Sequence, residues 1–549
     1  MKRFIHILTG ILFSTSFLFS QNTYTHADSL KGGLRPERTA FDVYYYDINL
    51  GVDIDKKTIV GWVGIYFNVV EDGVTRMQID LYKNFNIMAI KDDLQGNELK
   101  YTRDGNAIFV DHTTPFIKGR KEKIMVFYQG TPVESKSPPW ESGFVWKKDK
   151  NGRPWVGVAC QGVGSSVWWP SKDTQSDEAD SVRIAITTQQ DLTVVCNGNL
   201  RSVSPALSGA QTTEWFVSYP VNNYNISLNI GKYVNFNETY KGIETSFDLD
   251  YYVLDYNLDK AKQHFKQVVP MMNAFEKKLG PYPFPLDGYA LIETSYLGME
   301  HQSGIAYGNK YQKGYNGVER SGLPLGFDFI IIHESGHEYW GNSITTQDIA
   351  DMWVHEGFCT YSEALYVEEI YGADTALAYC NAWKKLVDND VPIIADYGVN
   401  QEGSGDMYNK AALMLHTLRW LVNDDKKWYE LIKNIQKNFR FQIVTSDQII
   451  VYINQQLGKD YTWLFDQYLK NAQPPILHYD LQQKGSNVEV TINWTNVSGA
   501  FTLPLNIQLS KTKSKSFQIS STPQKIIIKK NQLKYFKIDE EHAYFLVEE

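Results

Sequence analysis

The sequence predicts a multidomain α and β fold: an N-terminal β domain, a mostly helical central domain and a small C-terminal β domain. Three observations predict it. A chain of 549 residues is longer than one hydrophobic core organises, and about 150 residues per domain suggests three or four units. From about residue 40 to 240, short apolar-polar alternations such as Phe41–Leu50, Lys57–Val69, Lys123–Tyr128, Val182–Thr188 and Tyr224–Phe236 read as strands, with turn signals at Asp104-Gly105 and Asn151-Gly152. The period then changes, and helical spacing dominates to about residue 470 before alternation returns beyond Pro474-Pro475.

The elements follow in chain order. Lys2 and Arg3 precede the apolar run Ile5–Phe19, which reads as a signal peptide over residues 1–20 with Ser16 or Ser20 at the cut. Export to the periplasm, the cell surface or the medium is expected, and no later stretch is long and apolar enough for a membrane span in the mature chain. Residues 21–245 form the expected N-terminal β domain. Over Asp259–Leu279, the residues Ala261, Phe265, Val268, Val269, Met272, Phe275 and Leu279 recur at helical steps, and Gly280-Pro281 ends that helix. Residues 246–473 form the central domain and 474–549 the C-terminal one, where Val488, Val490, Ile492 and Trp494 alternate with polar residues.

Composition narrows the function. Hydrophobic residues make up 43% and charged residues 21%, as in an ordinary folded protein, which excludes a disordered or fibrous chain. The formal charge is −9, and −11 without the first twenty residues, so nucleic acid is a poor partner. Four cysteines are too few and too scattered for a disulfide scaffold. A Cys160–Cys196 bridge stays open at this stage, while Cys359 and Cys380 read as buried thiols.

The chemistry concentrates at His333-Glu334-Ser-Gly-His337. On a helix, residues four apart share a face, so the two imidazoles can grip one ion and Glu334 can reach a water beside it. A catalytic zinc takes three protein ligands and keeps a fourth position open. Glu356, nineteen positions after His337 within Trp353-Val-His-Glu356-Gly, offers the third. One Zn²⁺ per chain is the expected cofactor.

His-Glu-x-x-His followed by eighteen residues and Glu resembles the zinc signature of the M1 metallopeptidases, the family of aminopeptidase N and leukotriene A4 hydrolase. Upstream, Leu297-Gly298-Met299-Glu300-His301 is similar to the family's G-x-M-E-N motif. Downstream, Tyr408-Asn-Lys410-Ala411-Ala412 is similar to its Y-x-K-G segment, and Gln161, nine before Pro170, falls as in its Q-x-Q…R…P-x-x-D stretch, with Asp173 closing it. These similarities span about residues 40–475. The sequence departs from the pattern at His301, which replaces Asn, and at Ser165, where Arg is frequent. It also ends before the large helical domain many members carry.

The resemblance implies a thermolysin-like central domain and a C-terminal β-sandwich. It implies a zinc aminopeptidase acting on peptides with a free N-terminus. His333, His337 and Glu356 hold zinc. Glu334 is general base to a zinc-activated water, and Tyr408 donates to the oxyanion. Glu300, Gln161, Gly298 and Met299 bind the substrate's N-terminal end. Independently of the resemblance, Glu363, seven beyond Glu356 and on the same face of a regular helix, reads either as orienting a zinc histidine or as an ordinary surface acid. Two other readings stand beside it. One is an endopeptidase or other hydrolase on the same zinc, and the other is a non-catalytic exported binding protein suggested by the 14% aromatic content.

Overall fold

Alternating stretches must pair, because one face of each is apolar and its backbone groups need partners. In the computed structural model, which describes residues 24–499 and 501–548, those up to Gly231 build four sheets, of seven, four, three and two strands. The signal peptide expected at 1–20 lies outside the described residues. The largest sheet has seven strands and is centred on Phe41–Asp53, which pairs antiparallel with Thr58–Val69 and parallel with Ser181–Gln189. Its apolar face packs with a three-stranded and a four-stranded sheet around Tyr46, Ile65, Trp168 and Trp169.

The run Tyr224–Phe236 is not one strand. Asn223–Asn225 form a 3₁₀ turn, Asn229–Gly231 pairs with Thr193–Val195, and Tyr233–Lys241 opens the next sheet. Side chains take over the backbone's partners there: Asn197 Oδ1 accepts from both the amide (2.7 Å) and the hydroxyl (3.1 Å) of Ser227.

Tyr233–Lys241 and Ser246–Leu254 form a hairpin that leads a five-stranded mixed sheet, followed in space by Tyr289–Glu293, Ile305–Tyr307 and the two-residue edge strand Gly298–Met299. The boundary expected at 245/246 therefore falls inside a sheet. Alternation marks a strand without saying which sheet it joins.

The helix expected over Asp259–Leu279 is interrupted. Leu258–His264 and Val268–Leu279 flank a 3₁₀ turn at Phe265–Gln267. Pro270 has no amide to donate to Lys266, and its ring would crowd that carbonyl, so the regular ladder breaks one turn before it. The apolar period survives, and Phe265, Val268, Met272 and Phe275 are all buried.

The central domain is organised by the long helix Trp353–Tyr371, buried from Trp353 through Val367. It packs against Val268–Leu279, the histidine-bearing helix Phe329–Gly336, Ala373–Trp383 and Asn409–Val422. A helix buried on every face over that stretch lies inside such a bundle, its polar Glu356 and Glu363 facing the site. Beyond Pro475, two sheets of four and three strands enclose Leu477, Val490, Trp494, Leu505 and Ile519, and this core rests on Trp420, Leu421 and Trp463 of the helices. All four cysteines are buried free thiols, which settles the Cys160–Cys196 question against a bridge. Among the described residues no helix is long and apolar enough to cross a membrane.

Candidate active site

Asp328 begins the site. It caps the helix Phe329–Gly336, its carboxylate accepting from the amides of Ile330 and Ile331. It is itself held by Tyr307 Oη (2.7 Å), Asn309 Nδ2 (2.7 Å) and His264 Nε2 (2.7 Å). The helix that carries His333 and Glu334 is thus pinned at its first turn. It ends at Gly336, and His337 follows in helical conformation (φ −66°, ψ −21°), so the one-turn relation to His333 persists. The rings lie 4.9 Å apart, nearly perpendicular.

The chain then leaves helical geometry at Trp340 and Gly341. This turns the Trp340 carbonyl toward His337, whose Nδ1 meets it at 2.9 Å. Gly341 has φ +105°, and a Cβ there would stand 3.3 Å from His355, so glycine suits the turn. On His333, Nδ1 meets Glu363 Oε1 at 2.8 Å, and Tyr379 Oη donates to the other Glu363 oxygen at 2.7 Å. With both Nδ1 atoms engaged, the Nε2 atoms face Glu356.

Glu356 sits in the first turn of the long helix. Its Oε2 lies 3.2 Å from His337 Nε2 and 3.7 Å from His333 Nε2, yet has no hydrogen-bond partner and is buried. Tetrahedral zinc with bonds of about 2.0–2.1 Å separates its ligands by roughly 3.3 Å, and the two separations of Glu356 Oε2 from the imidazoles lie near that value. Cys359 is also close, but its thiol donates to the His333 carbonyl (3.0 Å), behind the imidazole.

Glu300 approaches from the end of the edge strand. Its Oε1 accepts from Gln161 Nε2 (3.0 Å) and Tyr224 Oη (3.3 Å), and the same Gln161 nitrogen lies 3.2 Å from Glu356 Oε1. Asn342 Nδ2 holds the Glu300 carbonyl at 2.8 Å. Glu300, Glu334 and a nitrogen of His337 fall within 4.8 Å of one another. Burial pushes the Glu334 carboxyl up to about 7 against the opposing pull of His333. Burial also raises Glu300, with His337 opposing it. A Cβ on Gly298 would stand 2.8 Å from Glu334 Oε1, so the strand passes the carboxylate at backbone distance. Met299 is buried, and the pair contributes mainly backbone.

Tyr408 stacks over His333 at 6.0 Å. Lys410 points elsewhere, its Nζ donating to the carbonyls of Asn471 and Ala472. His301 is fully buried, and both its ring nitrogens lack a partner among the described residues. Ser165 bonds Ser171 (2.7 Å). All ten residues singled out by sequence thus lie in or against one cleft. A cavity of about 450 Å³ is lined by Gln161, Gly298, Met299, Glu300, His333, Glu334, His337, Glu356, Glu363 and Tyr408. Sequence reading missed Tyr224, Asn342, Tyr379 and the Trp340 carbonyl. The Trp340-Gly341 pair three residues past the motif carried a signal of a broken helix, and Asn342 follows it directly; Tyr224 and Tyr379 come from distant segments with none.

Two imidazoles from one helix and a carboxylate from the next, beside a second glutamate in a buried cleft, form the donor set of a mononuclear zinc hydrolase. Residues 263–468 match the model of the peptidase family M1 domain, and the chain carries that domain. Over 178 residues it is 25% identical to human aminopeptidase RNPEPL1, a match covering 28% of this chain and 25% of that protein. Over 439 residues it is 20% identical to leukotriene A-4 hydrolase of Xenopus laevis, covering 75% of this chain and 68% of that one. The chain thus spans from a quarter to about two thirds of these relatives. Its fold is that of a mutant M1 zinc metallopeptidase from Deinococcus radiodurans bound to a Tyr-Ser-Ala substrate, with a TM-score of 0.64 and 20% identity over 79% of this chain and 94% of that one.

Proposed function

We propose that the chain is a zinc-dependent aminopeptidase that hydrolyses the N-terminal bond of peptides. His333, His337 and Glu356 hold one zinc ion. When bound, zinc lowers the pKa of a water toward neutrality and polarises a carbonyl. Glu334 takes the proton of the attacking water and returns it to the leaving amine. Tyr408, stacked over His333, donates a hydrogen bond to the oxyanion.

Glu300 receives the substrate ammonium, and Gln161 presents its amide oxygen to the same group. An internal bond has no such cation, and a capped terminus leaves Glu300 buried and unpaired. The edge strand Gly298–Met299 is bonded on one side to Ile305–Tyr307, and the other side suits an extended peptide.

The observation that carries this reading is Glu356 Oε2, buried beside two imidazole nitrogens and partnerless. The test is hydrolysis of aminoacyl chromogenic substrates before and after zinc removal. Activity is expected to vanish with zinc and return on its addition; full activity in zinc-free protein overturns the mechanism. Equal cleavage of free and N-acetylated peptides overturns the exopeptidase assignment.

A further inference from the structure

The cleft contains a cation that the reading above leaves without a role. Arg320 is the only Lys or Arg among the described residues lining the cavity, whose acids include Glu300, Glu334, Glu356 and Asp388. Its guanidinium lies over the ring of Tyr315, 5.0 Å from the centroid. Its neighbour Glu319 is turned away and accepts from the Gly326 amide at 3.0 Å. Arg320 therefore makes no ion pair with a described residue. A guanidinium steadied on an aromatic face presents a planar fork of N–H donors that fits a carboxylate.

Contacts fix the side of the cleft it occupies. Tyr315 packs against Phe329 (5.6 Å between ring centroids), and Phe329 stacks on His333 (5.3 Å). Glu300 instead falls together with Glu334 and His337, bonded to Gln161 and Tyr224. A peptide with its ammonium at Glu300 passes His333 and Glu334 at the scissile bond and leaves toward Tyr315. A cavity of 450 Å³ lies toward the small end of ligand sites, so a short peptide ends within it.

We propose that Arg320 receives a substrate carboxylate on the leaving-group side, from the C-terminus of a short peptide or from an acidic side chain. This rests on the aminopeptidase reading and adds a preference to it. The test measures kcat/KM for Ala-Ala-Ala as free acid and as amide, and for Ala-Asp-Ala amide against Ala-Asn-Ala amide. Wild type, Arg320→Ala and Arg320→Lys are compared. A carboxylate preference of about tenfold is expected in at least one pair for wild type, the size one partly exposed charge-assisted hydrogen bond supports. It should fall to about one in Arg320→Ala, be partly kept in Arg320→Lys, and weaken with salt. The acid–amide pair reports a chain terminus and the Asp–Asn pair a side chain. Because the readout is a ratio within each variant, a general loss of activity cancels. Ratios equal in wild type and Arg320→Ala overturn this inference and leave the aminopeptidase reading standing; no cleavage of any peptide by the zinc-loaded wild type overturns both.

Discussion

Replacing Glu363 with Gln tests whether the histidine pair is held for metal. Glu363 is 1% exposed and touches two groups, His333 Nδ1 at 2.8 Å and Tyr379 Oη at 2.7 Å. Glutamine has the same shape, so its oxygen can still accept from Nδ1 and its NH₂ can donate to the tyrosine oxygen. What disappears is the negative charge that makes the imidazole a stronger donor to an ion. Losing such a partner behind a metal histidine costs about 10- to 100-fold in affinity, or about 1.4–2.7 kcal/mol. Tyr379→Phe leaves the carboxylate in place and removes one hydrogen bond to it, so a smaller loss of about 2- to 10-fold is expected. The assay is competition for zinc against a chromophoric chelator, with circular dichroism to show that each variant is folded. A folded Glu363→Gln protein that binds zinc within twofold of wild type would refute the argument.

Three further outcomes follow from the geometry. Gly298→Ala places a methyl 2.6 Å from Ile330 Cγ2 and 2.8 Å from Glu334 Oε1, so kcat should fall at least tenfold while zinc content holds at one per chain; unchanged kcat shows that the strand yields freely. His301, which burial holds down to about 3, stays neutral in the folded chain while its unfolded counterpart gains a proton below about 6.5, so stability is lost as pH falls through that window. Urea unfolding between pH 4 and 6 should show His301→Asn shallower than wild type by about 1.4 kcal/mol per pH unit, and parallel slopes refute it. Saturating zinc at about 100 times its Kd should stabilise the protein by about 2.7 kcal/mol, read as a rise in Tm, and His337→Ala should abolish that rise.

The two histidines were legible because a local rule places them. Two histidines at four-residue spacing share a side of any helical turn, and that held although the helix ends before His337. Glu363 was legible for the same reason, two turns beyond Glu356 on one regular helix. Glu300, Gln161 and Tyr408 came from family resemblance, since nothing in their own neighbourhoods says that three distant segments meet. Tyr224 was hidden because alternation absorbed it into a strand, whereas the chain makes a 3₁₀ turn there that aims its hydroxyl at Glu300. The 245/246 boundary, which falls at a hairpin turn within one sheet, and the helix broken before Pro270 show another limit. Periodicity reports which face is apolar, and neither sheet membership nor a missing backbone donor changes it.

The identity of the residue that joins Glu300 to Glu356 follows from charge. Three carboxylates converge here, and like charges in a buried cleft repel strongly unless cations meet them. An arginine bridging Glu300 and Glu356 would satisfy both from within the protein. It would also spend the field that zinc and a substrate ammonium require. Gln161 supplies the same donor geometry, 3.0 and 3.2 Å, without a charge. Ser165, which stands where the resembled pattern often has arginine, is committed to Ser171 and adds no cation. The cleft is therefore held in shape by neutral donors, Gln161 and Tyr224, while its negative charge is left for the ligands. Arg320, the one guanidinium among the described residues lining the cleft, lies over Tyr315, apart from the Glu300, Glu334 and His337 group. For the proposed peptide substrate, that separation would give the cleft a direction, acidic where the chain begins and basic where a short one ends.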